Sequence, residues 1–241
     1  MDNTPTVKTY FDGVSFESYG IVVERVHDPI PDMREDLQER IGRHGSYLNS
    51  LTMSPRTITL ECRYFGDRWQ DFDDMMDELA AWLITDDDRK MYLRTNPDQY
   101  YLAHFVSYEE GDREGGRGIG GFTLTFTATD PIRYGEERAM VITDGTIDIG
   151  GTDAADMRIT LLGASKLKMI FYSPDRRNAY LLESPKATQE INVDCVNHVV
   201  RSQGYVVGVT LDSQWPKFIP GTWRIATASG TATLTWIQRY R

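Results

Sequence analysis

The chain has 241 residues, enough for one large domain or two ordinary ones; 40% of them are hydrophobic and 11% aromatic. Such content supports real cores, so disorder is not the general reading. The net charge is −10, and no apolar run approaches the length needed to cross a bilayer.

Met1-Asp2-Asn3-Thr4-Pro5 lacks the positive and apolar regions of a signal peptide, so a soluble protein made in a cytosol is expected. The charge is uneven. Residues up to Gly135 hold 25 acidic and 14 basic side chains (−11), whereas those from Glu136 onward hold 11 and 12 (+1). This break places a domain boundary near Gly135. An acidic first half also argues against a grip on nucleic acid, because phosphate contacts need a basic surface.

Val7 to Glu24 reads as two short strands about Phe11-Asp12-Gly13, the Asp-Gly pair being a hairpin signal. Arg25 to Ser54 has little regular pattern. His27 to Asp32 is a turn-rich connector, Arg34 to Ile41 has weak helical character, and Gly42-Arg43-His44-Gly45 breaks it. Such a stretch inside a compact domain forms an arm or a functional loop. Arg56 to Phe65 alternates as a strand.

Gly66 to Ile84 is the one strong helix. Asp67 can serve as N-cap with Gln70 three residues on. Trp69, Phe72, Met76, Leu79, Trp82 and Leu83 recur at helical spacing, and Asp71, Asp74, Asp77 and Glu78 project from the other side. Met91 to Arg94, Gln99 to Tyr108 and Phe122 to Phe126 read as further strands, with Glu109 to Gly121 as a mobile hairpin tip. After Gly135 the pattern is all β. Strands are predicted at Met157–Leu162, Lys166–Tyr172, Ala179–Leu182, Glu190–Val193, His198–Ser202, Val206–Leu211, Gly221–Ala226 and Thr231–Arg239. Short strands at regular spacing suggest a jelly-roll sandwich.

Few motifs carry chemistry. Gly116-x-Gly118-x-x-Gly121 matches the dinucleotide fingerprint in letters, but a strand pattern follows it where a helix is required. The carboxylates at 71, 73, 74, 77 and 78 lack calcium-loop spacing and read as a solvated helix face. Cys62 and Cys195 sit in strand patterns without a C-x-x-C neighbour and read as buried free thiols, one per domain. His27, His44, His104 and His198 fall in no zinc-protease pair and beside no evident nucleophile. No catalytic residue, metal site or cofactor is expected. Tyr100, Tyr101, Trp215, Trp223 and Trp236 would suit either a sugar-stacking platform or core packing.

Pro97-Asp98-x-Tyr100-Tyr101-x-Ala103, then a strand at Phe122 to Phe126 closing on Asp130-Pro131-x-x-Tyr134, resembles the N-terminal domain of the siphophage distal tail protein family. Gly42-Arg43-x-Gly45 followed by Arg56 to Leu60, and the helix end Ala81-Trp82-Leu83, are similar to its further segments. So are Gly150-Gly151-Thr152, Ile191-Asn192-Val193-Asp194, and Trp215-Pro216-x-Phe218-x-Pro220-Gly221 in the second half. Trp223 departs from the small polar residue more usual there, and Arg25 to Ser54 is long.

The resemblance implies a mainly β protein: residues 1–135 a ring-forming belt of β-structure with one helix, and residues 136–241 a peripheral galectin-like or jelly-roll β-sandwich. It implies a homo-hexameric ring at the virion tail tip, joining the tail-tube protein to a spike or fibre hub protein. Tape-measure and receptor-binding proteins are further partners, and DNA passes through the channel without specific binding. If the belt lines that channel, Asp71, Asp74, Asp77 and Glu78 are the candidates to face it, the alternative being a soluble outer wall. The rival reading is a carbohydrate-binding β-sandwich module without ring assembly.

Overall fold

The computed structural model describes residues 8–39, 42, 44–65, 69–114, 119–227 and 230–241, with the side chains of 69–71, 112–114 and 119 left aside. It forms two compact units, Met1–Arg133 and Tyr134–Arg241.

In the first unit, β1 (Tyr10–Phe11) and β2 (Val14–Ser15) form a tight hairpin. Its central residues Asp12 and Gly13 both have positive φ, 48° and 79°, the conformation a two-residue turn demands and Asp-Gly tolerates. Then follow β3 (Ile21–His27), β4 (Met33–Glu39), β5 (Ser46–Met53), β6 (Arg56–Phe65), α1 (Trp69–Leu83), β7 (Arg89–Tyr92), β8 (Tyr100–Glu114) and β9 (Ile119–Ala128). One antiparallel sheet runs β2-β1-β7-β8-β9-β6-β3, and β4 pairs only with β5.

Strand β6 has the predicted bounds. Alternation turns Ile58, Leu60 and Cys62 inward, beside Phe122, Leu124 and Phe126 of β9. Helix α1 covers this face with Phe72, Met75, Leu79 and Leu83, each almost fully buried and each contributing about 1.5–3 kcal/mol. Phe72 lies against Phe122 and comes so close to the sheet that a Cβ at Gly120 would meet its ring at 3.0 Å. Trp82 closes the far end, 4.9 Å between ring centroids from both Phe16 and Tyr19.

Three expectations need correction. Arg34 to Ile41 is not helical: as far as Glu39 it is strand β4, because cross-strand pairing with β5 prevails over helix-forming composition. Glu109 to Gly121 is not a long loop, since β8 and β9 stay paired out to Glu114 and Ile119. Met75, not Met76, sits in the helix core, one residue out of phase with the predicted stripe, and Ile84 is exposed beyond the helix end. Asp67 lies outside the described residues.

The second unit contains β10 (Arg133–Ile142), β11 (Asp144–Ile149), β12 (Asp153–Ala164), β13 (Leu167–Tyr172), β14 (Ala179–Ser184), β15 (Gln189–Asp194), β16 (Val199–Ser202), β17 (Tyr205–Val207), β18 (Gly221–Thr227) and β19 (Ala232–Tyr240). Two sheets, β17-β16-β15-β12-β19-β10 and β11-β18-β13-β14, enclose one core. Met157, Ile159 and Leu161 from the first sheet, and Met169, Phe171, Trp223 and Ile225 from the second, are at most 1% exposed. The fold is therefore mainly β with one helix and a C-terminal β-sandwich, as expected.

Strands β10 and β11 were not anticipated, and β10 runs through the boundary expected near Gly135. The strand predicted at Val206–Leu211 stops at Val207, and Leu211 is fully exposed. At Gly151 (φ +97°) a Cβ would lie 2.4 Å from the carbonyl oxygen of Arg239, so the turn into β12 requires glycine.

Candidate assembly surfaces

The β4–β5 hairpin is an arm. Its ladder runs from Met33 opposite Met53 to Glu39 opposite Ser46, with a bulge after Asp36. All of β4, and β5 up to Thr52, is exposed, and Met33, Leu37, Tyr47, Leu48 and Leu51 stand 49–55% open. A two-stranded hairpin is marginal in water. Its half-open apolar side chains mark a surface that gains order by packing on something else.

The base of the arm is held firmly. Ser54 N–H donates to the Asp32 carbonyl at 2.8 Å. Just before it, Asp28 meets Arg56 and Tyr101 in a closed triangle. The Arg56 guanidinium donates to the Asp28 carboxylate at 2.9 Å and to the Tyr101 hydroxyl at 2.6 Å, and that hydroxyl donates to Asp28 at 2.9 Å. The Arg56 and Asp28 side chains are 6% and 15% exposed. Burial, then the neighbouring Asp28 charge, pushes the Tyr101 hydroxyl well above its ordinary range, so it stays a neutral donor. Arg94 adds a clamp, donating to the carbonyls of Val23 and Glu24 at 2.7 and 2.5 Å.

On α1, Asp73, Asp74, Asp77 and Glu78 are exposed, with no ion pair among the described residues; the Asp71 side chain lies outside them. Asp73–Asp77 and Asp74–Glu78 are like-charge pairs at four-residue spacing, each costing a few tenths of a kcal/mol (about 0.2–0.5). Asp77 and Glu78 lie beyond the first turn, where the helix dipole gives little compensation. Helix stability alone does not account for this stripe.

The sandwich does not present the aromatic platform. Tyr101, Trp223 and Trp236 point into the cores of their units, and Tyr100 is buried on the opposite face of β8 from Tyr101. Trp215 remains half-buried, stacked on His198 at 4.9 Å and 20°. Both cysteines are free and buried, and burial pushes each thiol up to about 12, which leaves them weak nucleophiles. His104 pairs with Asp88 at 2.6 Å, and no metal-holding cluster occurs among the described residues.

Sequence reasoning missed one surface of the sandwich. On the outer face of the β12–β15–β16 sheet, register sets Arg158 beside Asp194, and Thr160 beside Asn192 beside Arg201. They line a cavity of about 380 Å³ with Asn197. Thr160 donates to Asn192 at 3.0 Å, and Asp194 accepts from Val196 N–H, Asn197 N–H and the Asn197 side chain at 2.9–3.0 Å. Partial burial raises the Asp194 pKa, but those hydrogen bonds outweigh it and hold the carboxyl below its usual range. A second cavity of about 370 Å³, lined by Trp215 and His198, lies on the other side of the Asp194–His198 turn.

Residues 14–128 match the family described as the phage tail protein RIFT-related domain. The distal tail protein of Bacillus phage SPP1 is 23% identical over 146 residues, covering 60% of this chain and 57% of that relative's length. The crystal structure of SPP1 Dit, called a paradigm of the hub adsorption apparatus in Gram-positive infecting phages, aligns over 97% of this chain and 99% of its own. Its TM-score is 0.78 at 17% identity. Residues 14–128 therefore carry a phage tail protein domain, and the chain as a whole has the fold of a siphophage distal tail protein. The shared domain runs from β2 to the end of β9 and so contains both the arm and α1. A distal tail protein of this fold need not keep its sequence, and at 17% identity the structural likeness speaks for the fold alone.

Proposed function

We propose that this chain is a structural hub of the phage tail tip: a closed hexameric ring, formed by the first unit, that joins the tail tube to the adsorption apparatus. The observation that carries the reading is the tail domain at residues 14–128, from which an arm with half-open apolar side chains projects. The arm packs on the neighbouring copy, offsetting the entropy of ordering it. Tail-tube protein, a spike or fibre hub protein, tape-measure protein and receptor-binding protein are the partners of the ring, and its role is non-catalytic.

Light scattering after size exclusion tests this. At raised concentration, or with tail-tube protein present, the mass should reach that of six 27.5 kDa chains. Changing Leu37, Leu48 and Leu51 together to serine should keep the protein monomeric while shifting its stability by no more than about 0.5 kcal/mol per site. A protein that stays monomeric at every concentration, and joins neither tail-tube protein nor hub protein, would sink the reading.

The acidic stripe of α1 then faces the channel. DNA carries one charge per roughly 1.7 Å, so a basic lumen would hold it and an acidic one repels it weakly. Six copies bring −60 (6 × −10), and salt confines the repulsion to about 10 Å. Replacing Asp74, Asp77 and Glu78 with lysine should slow DNA ejection. A hexamer with α1 turned outward and a neutral or basic channel would refute this placement.

A further inference from the structure

The polar outer face of the sandwich is the surface that a hub role leaves without work. An outward sheet face is polar in any half-solvated sandwich, so polarity alone says nothing. Two other features do. The face is concave, with about 380 Å³ of space, within the range of small-ligand sites. Its groups are held in place before any ligand arrives: Thr160 is bonded to Asn192, and Asp194 is bonded three times by its own turn.

The chemistry of the lining selects the ligand. Arg158 and Arg201 can only donate, Asp194 and the Asn197 amide oxygen can only accept, and the Asn192 amide is held at both ends, by Thr160 and by Glu190. A ligand matching this set must carry many groups that donate and accept at once. Hydroxyls do so. A phosphate only accepts and would meet the Asp194 carboxylate, and an apolar ligand would offer the two guanidinium groups no acceptor.

We propose that this groove, built by Arg158, Thr160, Asn192, Asp194, Asn197 and Arg201, binds a neutral saccharide. Ring assembly is independent of it, since the groove lies wholly within the second unit.

The test is saturation-transfer NMR on the full chain with lactose, maltotriose and chitotriose, each at about 5 mM, and polyglycerol phosphate as an anionic comparator. At least one neutral saccharide should receive saturation. Its affinity should fall at least tenfold in Arg158→Ala and in Asn192→Ala, both with unchanged melting, and stay the same in Lys166→Ala, which lies on an exposed turn away from the groove. No transfer to any of the three saccharides, transfer that both groove variants leave intact, or a preference for polyglycerol phosphate would overturn the proposal.

Discussion

Arg56→Ala is expected to lower the stability of the first unit by about 3–5 kcal/mol. The residue is the sole cation in a buried triangle with Asp28 and Tyr101. Its loss leaves the Asp28 carboxylate in a poorly hydrated place without its ion-pair partner. The cost comes from the stranded charge more than from the lost bond, and a double variant separates the two. Replacing Arg56 and Asp28 together with leucine removes both charges and should be markedly less harmful than Arg56→Leu alone. Urea unfolding followed by tryptophan fluorescence measures both. A single variant within about 1 kcal/mol of the parent would show that water reaches the triangle. Because Asp28 belongs to the connector that leads into the arm, Arg56→Ala should also weaken ring assembly at concentrations where the monomer remains folded.

Trp223→Ala should cost about 3–5 kcal/mol, and in the isolated fragment Tyr134–Arg241 it should prevent folding. Trp223 has no exposed surface. Its ring lies 4.9 Å from that of Phe218 and 6.0 Å from that of Tyr180, and its indole N–H donates to the Ile219 carbonyl at 2.8 Å. Alanine removes this packing from the middle of the sandwich and takes away the indole donor of the Ile219 carbonyl. Trp223→Phe keeps most of the volume and should cost less than half as much. Circular dichroism and urea titration of the fragment decide the matter. A parent fragment that is itself unfolded would refute autonomous folding of the second unit. A Trp223→Ala fragment that melts like the parent would refute the central place given to this side chain.

Where periodicity was strong, the sequence was legible. The 3.6-residue stripe of α1 and the strict alternation of β6 are both statements about one buried face, and burial is what the structure preserves. Errors arose where local composition and long-range pairing disagree. Met33-Arg34-Glu35-Asp36-Leu37-Gln38-Glu39 is rich in helix formers and has no buried face to set a period, yet it pairs as β4. Strand β10 is mostly exposed and charged, so its alternation carries no hydrophobic signal. The tryptophans show a different limit: whether Trp223 and Trp236 point in or out depends on strand parity, which shifts with one residue of register. The polar groove was invisible for a related reason. Arg158, Asn192 and Arg201 come from three strands and become neighbours only through pairing.

The order of strands has a consequence for synthesis. β19 lies in the middle of its sheet, between β12 and β10, although it is the last strand of the unit in sequence. Until it has left the ribosome, β12 and β10 have no partner between them and the inner face of the sheet is open. The first unit completes its own sheet once β9 emerges, more than a hundred residues earlier by the distance from Ala128 to Ala232. The two halves of the nascent chain therefore mature at different times, the arm-bearing half first. A stalled or clipped chain that lacks β19 carries a finished first unit and an open apolar sheet, a form that the proposed ring would admit and that would spoil it.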